Sequence, residues 1–204
     1  MAKKESEGIG RILTTRRIEG LADGIFAFAM TLLILSLGLP EDSSGNLLDL
    51  LLKSGHMFYN WMLSFILLAV FWIVHHVQGH AIERTDTAHV WINVILLMFV
   101  TLVPFSTDLA IDYSGQTAAE LVFGANLFVL GLCFCANWTY ATWNHRLVEK
   151  DLSHAAIVAG IRRSVVMPVV ALVAMAIALF VPRYGLYTYM VIPIILSLPW
   201  MRRV

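Results

Sequence analysis

Arg17-Ile-Glu-Gly-Leu21-Ala22-Asp23-Gly24-Ile-Phe-Ala-Phe28-Ala-Met-Thr31-Leu32-Leu-Ile-Leu35-Ser36-Leu37 is a run of about twenty residues in which Glu19 and Asp23 are the only charges after the leading arginine. A helix needs about 20 mainly apolar residues to cross a bilayer, whereas a barrel strand needs about 9–11 and must alternate. This run is too long for a strand and does not alternate, so it reads as a membrane-spanning helix. At about 100° per residue, Leu21, Gly24, Phe28, Thr31 or Leu32, and Leu35 fall on one stripe. Several copies of such a stripe around an axis would line a narrow, greasy passage with one ring of hydroxyls at Thr31. The same stripe also suits lipid contact or core packing. Asp23 lies about 140° from Phe28 on the helical wheel. If Phe28 faces an axis, Asp23 turns toward neighbouring helices, as a structural carboxylate with Arg17 of its own or another chain for a partner. A carboxylate here needs one, because ionisable groups at a membrane-helix centre cost about 2.5–3.5 kcal/mol.

Outward from this helix, hydropathy places spans at 18–39, 56–79, 88–107, 117–141, 163–181 and 184–200, with residues 1–17 as a polar tail and 18–204 as one six-helix unit. The expected fold is all-α and polytopic. Composition agrees: 204 residues are 59% hydrophobic and 14% charged, against about 25% charged in soluble domains. Net charge is zero, which offers nucleic acid no basic footprint. No cleavable signal peptide is expected, since the first apolar run carries charges and is too long. Breakers fall at Gly38 to Gly45, at Ser114-Gly115 and at Pro182 to Gly185, while Pro104, Pro168 and Pro193 are candidate kinks. The two halves show no clear duplication, which weakens an inverted-repeat transporter reading.

Cations set the orientation. With the N-terminus inside, Lys3, Lys4, Arg11, Arg16, Arg17, Arg84, Arg146, Lys150, Arg162, Arg163, Arg202 and Arg203 fall on the cytoplasmic side and only Lys53 and Arg183 outside. The positive-inside rule therefore expects both termini in the cytoplasm and a multi-pass protein of the inner (plasma) membrane. Glu41, Asp42, Asp49, Asp108, Asp112 and Glu120 make the outer side mildly acidic. They either concentrate cations at a mouth or serve as ordinary solvated loop residues.

The pattern Arg17, three residues, then Leu21-Ala22-Asp23-Gly24 resembles the Arg-x-x-x-Phe-Ser-Asp signature of the endolysosomal potassium channel family (transmembrane protein 175), in its prokaryotic single-repeat form. Phe71-Trp72-Ile-Val-His75-His76 and the stretch from Trp91-Ile-Asn93 to Pro104-Phe105-Ser106-Thr107 extend the likeness over about the first 110 residues. The resemblance implies a homotetramer of six-helix subunits in the lipid bilayer, conducting potassium or other monovalent cations through a pore lined by four first helices. It implies no cofactor and no enzymatic activity. The constriction and lining then fall on Phe28, Thr31, Leu32 and Leu35, and a hydrogen-bonded layer on Arg17, Asp23, His76 and Asn93. No Thr-Val-Gly-Tyr-Gly carbonyl filter occurs. Two departures stand out: Leu21-Ala22 replaces Phe-Ser and removes a hydroxyl, and Phe28 replaces a branched aliphatic residue, so four rings would plug the axis or rotate aside.

Two other classes remain open at this point. One is a proton-linked secondary transporter that titrates Asp23, although the span centres hold few other carboxylates. The other is a metal-dependent membrane enzyme built on His76, His80 and Glu83, whose helical spacing could collect ligands; the family resemblance argues for no metal. His75, His76, His145 and His154 could titrate near neutral pH. Cys133 and Cys135 stand about 200° apart on a helix and read as packing residues. Trp138, Trp143, Trp200, Tyr184, Tyr187 and Tyr189 sit near span ends, as interfacial belts do.

Overall fold

The structure is a computed structural model and describes residues 15–38 and 46–197. Helix α1 (Thr15–Leu32) tightens into a 3-10 turn (Leu33–Ser36). Then come α2 (Leu47–Lys53), α3 (Gly55–Ala81), α4 (Thr87–Thr101), α5 (Val103–Asp112), α6 (Thr117–Thr142), α7 (His154–Phe180), α8 (Pro182–Gly185), a 3-10 segment (Leu186–Met190) and α9 (Val191–Ser197). Five helical stretches are long and apolar enough to cross a membrane: Thr15–Ser36, Gly55–Ala81, Thr87–Asp112, Thr117–His145 and His154–Phe180. The third bends where α4 passes into α5 at Leu102, two residues before Pro104; a proline has no N–H to continue the ladder. Pro168, by contrast, sits inside a helix that stays continuous.

The sixth apolar run is helical but broken. Its longest apolar stretch, Leu186–Ser197, spans about 18–24 Å, short of the roughly 30 Å hydrocarbon thickness. The fifth helix begins at His154 rather than near 163, because the Ser153 side chain caps it by accepting from the Ala156 amide at 3.2 Å. Arg162 and Arg163 therefore lie within a helix instead of in a connection. Lys3, Lys4, Arg11, Glu41, Asp42, Trp200, Arg202 and Arg203 lie outside the described residues, as do both termini.

Small residues let α6 and α7 close on each other. A Cβ at Gly131 would stand 2.6 Å from Pro168 Cδ, and one at Gly160 would collide with the Trp138 indole. Membrane helices use small residues in this way because packing, not hydrophobicity, holds them together. Trp138 is accordingly buried between the two helices, with Nε1 donating to the Ile157 carbonyl at 3.0 Å. It is no interfacial belt residue, and Tyr189 is buried too, whereas Trp143, Tyr184 and Tyr187 are exposed.

The end of the bundle that carries Arg84, Arg146 and Lys150 is closed by a small cap. After α6 the chain reverses through Asn144 and His145, both left-handed (φ 50° and 51°), a conformation in which Asn and His are enriched. The returning strand-like segment meets the α3–α4 connection, where the Glu83 amide donates to the Leu147 carbonyl at 3.0 Å and Ile82 bridges Val148. Asp86 ties the cap down. Its carboxylate accepts from the His89 amide at 2.9 Å, the Tyr140 hydroxyl at 2.8 Å and the Arg146 guanidinium at 3.1 Å. Partial burial pushes the Asp86 carboxyl up, but these donors outweigh it and hold the group below its usual range.

Candidate permeation face and the polar layer behind it

Helix α1 has two faces with opposite fates. Ile18, Ala22, Phe26 and Ala29, continued by Leu33, are buried against α3, α4 and α5. Leu21, Gly24, Phe28, Thr31 and Leu35 face away from the subunit; Phe28 is 63% exposed and Leu35 75%. Leu32, read as part of the same stripe, is half-buried at its edge. The Thr31 hydroxyl donates to the Phe28 carbonyl of its own helix at 2.8 Å. Its single proton is thereby committed, which leaves oxygen lone pairs on the outward side.

Beside the stripe, Asp23 accepts a hydrogen bond from Trp72 Nε1 at 2.8 Å. The bond joins α1 to α3. Trp72 stacks on His76 (5.8 Å between ring centroids), and His76 meets His80 edge-on at 4.7 Å. These three rings, spaced i, i+4, i+8, form an exposed ladder on α3. Among the described residues, no group of three or more His, Cys, Asp or Glu side chains is placed to hold a metal ion. Cys133 and Cys135 are free and half-buried.

Behind the stripe lies a buried polar chain. His75, the neighbour of His76, shares a hydrogen bond with Asn93 Oδ1 at 3.0 Å. The Asn93 amide faces His89 Nε2 at 3.1 Å and donates to Asn137 Oδ1 at 3.0 Å. Asn137 donates to Gln78 Oε1 at 3.0 Å, Gln78 to Ser164 Oγ at 2.9 Å, and Ser164 to the Gly160 carbonyl at 2.9 Å. One directional chain thus joins α3, α4, α6 and α7, and every side chain named in it is buried. An amide can both accept and donate, which is why Asn and Gln occupy the middle positions. A small cavity of about 20 Å³ lies between this chain and Glu19 of α1, room for roughly one water.

In this buried chain it is His75 that reaches Asn93, while His76 turns outward. Arg17 is exposed at the start of α1. Gln78, Asn137 and Ser164 complete the layer and were not singled out by the motifs. Their signal in the sequence is a lone amide or hydroxyl within an apolar span, a position that normally faces the bundle interior.

Such a molecule is a polytopic helical membrane protein with a buried polar chain inside the bundle and exposed apolar side chains on the outside of its long helices, the outward stripe of α1 among them. The family profile described as "Endosomal/lysosomal potassium channel TMEM175" matches residues 17–104. The chain is 32% identical over 142 residues to a potassium channel of Chamaesiphon minutus, covering 67% of this chain and 70% of that one. The crystal structure of a lysosomal potassium-selective channel TMEM175 homolog from Chamaesiphon minutus superposes with TM-score 0.79 at 28% identity, covering 91% of this chain and 97% of that chain. The endosomal/lysosomal proton channel TMEM175 of Gallus gallus is 24% identical over 152 residues, which cover 70% of this chain but only 30% of that protein. The chain belongs to the TMEM175 family, whose members are ion channels and not enzymes.

Proposed function

We propose that the chain forms a homotetrameric, potassium-preferring cation channel of the cell's inner membrane, with six spans per subunit, cytoplasmic termini and residues 18–204 as one conducting unit. The pore is lined by the outward face of α1 from four subunits: Phe28, Thr31, Leu32 and Leu35. Arg17, Asp23, His76 and Asn93 belong to the polar surroundings that hold α1 in place. The observation that carries this reading is the exposure of Phe28 and Leu35 on a helix whose opposite face is fully packed, in a chain of a channel family.

Selection in such a pore is dehydration at a tight apolar ring rather than coordination by a carbonyl filter. Phe28 adds a π face that an aliphatic residue lacks, and cation–π attraction is about 0.5–1 kcal/mol at exposed sites. The Thr31 oxygens, with their protons turned to the helix backbone, present lone pairs to a passing cation. Liposome flux tests the reading: the purified protein should pass potassium quickly down its gradient without a coupled ion, and Phe28→Ala should change conductance or the potassium-to-sodium ratio. Unchanged permeation in intact tetramers of the variant removes Phe28 from the bottleneck. The names of the vertebrate relatives favour protons as a second permeant species; proton flux in the same liposomes decides between the two.

A further inference from the structure

On the side of α3 opposite Trp72 and His76, a crevice of about 430 Å³ opens between α3, α7 and α9. That volume lies within the roughly 300–1,000 Å³ range of small-molecule sites. Val70, Ile73 and Val77 form one wall at i, i+3, i+7, and Ala156, Gly160 and Leu196 form much of the rest. Ile73 and Val77 are 52% and 42% exposed, so the crevice is open sideways. Two of its walls, α3 and α7, are long and apolar enough to span the membrane, so the crevice lies at membrane depth. Trp138 fixes the floor through its bond to the Ile157 carbonyl and its seat on Gly160. The crevice is thus a built cleft rather than slack packing.

The polar side chains Gln78, Ser197 and Arg163 also line it, Arg163 being the one that is charged, and among the described residues lining it there is no carboxylate. Arg163 lies nine residues into α7, about 14 Å from the first residue at the cationic end of the bundle. Arg162 is exposed beside it. A guanidinium has five donors in a planar fork suited to phosphate, whatever other contact it makes. A cleft that is apolar over most of its lining and carries one guanidinium fits a molecule with an acyl chain and an anionic head, and basic pockets between membrane helices bind such lipids.

We infer that this crevice binds one anionic phospholipid per subunit, an acyl chain lying along Val70, Ile73 and Val77 and the phosphate on Arg163. Among the described lining residues a zwitterionic lipid finds no carboxylate for its ammonium group. The site is separate from the α1 stripe, so it stands or falls independently of the pore assignment. Gln78 belongs to both the crevice and the polar chain that leads to His75, so the lipid touches the bundle's interior network.

Native mass spectrometry of the full-length protein, with phosphatidylglycerol and phosphatidylcholine of matched chains, tests it. The wild type should retain one phosphatidylglycerol per subunit with at least about a tenfold preference. Arg163→Gln should abolish the preference and Arg163→Lys should keep part of it, since a point charge remains. Val77→Trp should fill the cleft and expel both lipids; Val77 is half-exposed, and a melting curve checks that this variant folds. Leu179→Ala, exposed and away from the crevice, should behave as wild type. Equal retention of the two lipids, a preference that survives Arg163→Gln, retention by folded Val77→Trp, or displacement by equimolar free palmitate would each overturn the assignment.

Discussion

The outward ridge of α1 and the polar layer behind it follow opposite rules. In the layer, each amide and hydroxyl from His75 to Ser164 finds its partner inside the subunit. The ridge leaves Leu21, Phe28 and Leu35 more than half exposed. The layer is complete within one subunit; on the proposed function, the exposed ridge is completed by other copies. Neighbouring residues on α1 show the contrast at its sharpest, for Phe26 is fully buried and Phe28 is 63% exposed.

That contrast predicts unequal costs. Phe26→Ala should destabilise the protein by about 3–5 kcal/mol, the usual loss for a buried phenylalanine. Phe28→Ala should shift stability by no more than about 0.5 kcal/mol, as at an exposed site, while altering permeation. Thermal melting in detergent alongside liposome flux measures both. Equal destabilisation by the two variants would place Phe28 in a packed contact and break the comparison. Next in size is Asn93→Leu, which leaves His75, His89 and Asn137 short of a partner. Each orphaned buried group costs about 1–3 kcal/mol, tempered in membranes by new partners, so a net loss of about 2–4 kcal/mol is expected by chemical or thermal unfolding. A neutral result would mean that the layer is wet.

The smallest effects belong to the cap. Asp86→Ala removes a helix cap and an ion pair and should cost about 1 kcal/mol. Asp86→Asn keeps the cap but not the charge. Because the carboxyl is held below its usual range in the folded protein, its contribution is fully present above the unfolded value of about 3.9 and is lost as pH falls through the folded one. The wild-type melting temperature should therefore fall more steeply than that of Asp86→Asn below about pH 4. Parallel curves would show that Asp86 titrates alike in both states.

The five long helices were legible because hydropathy over about twenty residues is a strong signal in a chain this apolar. So was the α1 stripe, since a period of 3.6 residues fixes which side chains share a face. Hydropathy reports membrane rather than helix, however, so it missed residues 154–162, where Ser153 starts a helix well before the apolar stretch, and the short α2, which Asn46 caps by accepting from the Leu48 amide. It also read the run after Pro182 as one span, where the structure has short segments. Motif spacing could not choose between His75 and His76. They are adjacent, and the choice depends on which side of α3 meets α4. The partners Gln78, Asn137 and Ser164 are likewise contacts between helices distant in sequence, invisible until the bundle is assembled. Trp138 looked interfacial by position and is buried because Gly160, on another helix, makes room for it.

Disulfide cross-linking in native membranes, with Cys133 and Cys135 replaced by serine, tests the central claim most directly. Leu35, in the 3-10 turn that continues α1, and Phe180, at the end of α7, are 75% and 86% exposed, and each is replaced in turn by cysteine (Leu35→Cys, Phe180→Cys). If four α1 helices surround the conduction axis, oxidation should join subunits through position 35 and block potassium flux, and position 180 should stay monomeric. Cross-linking through 180 with none at 35 would put α1 at the lipid-facing periphery and contradict the account.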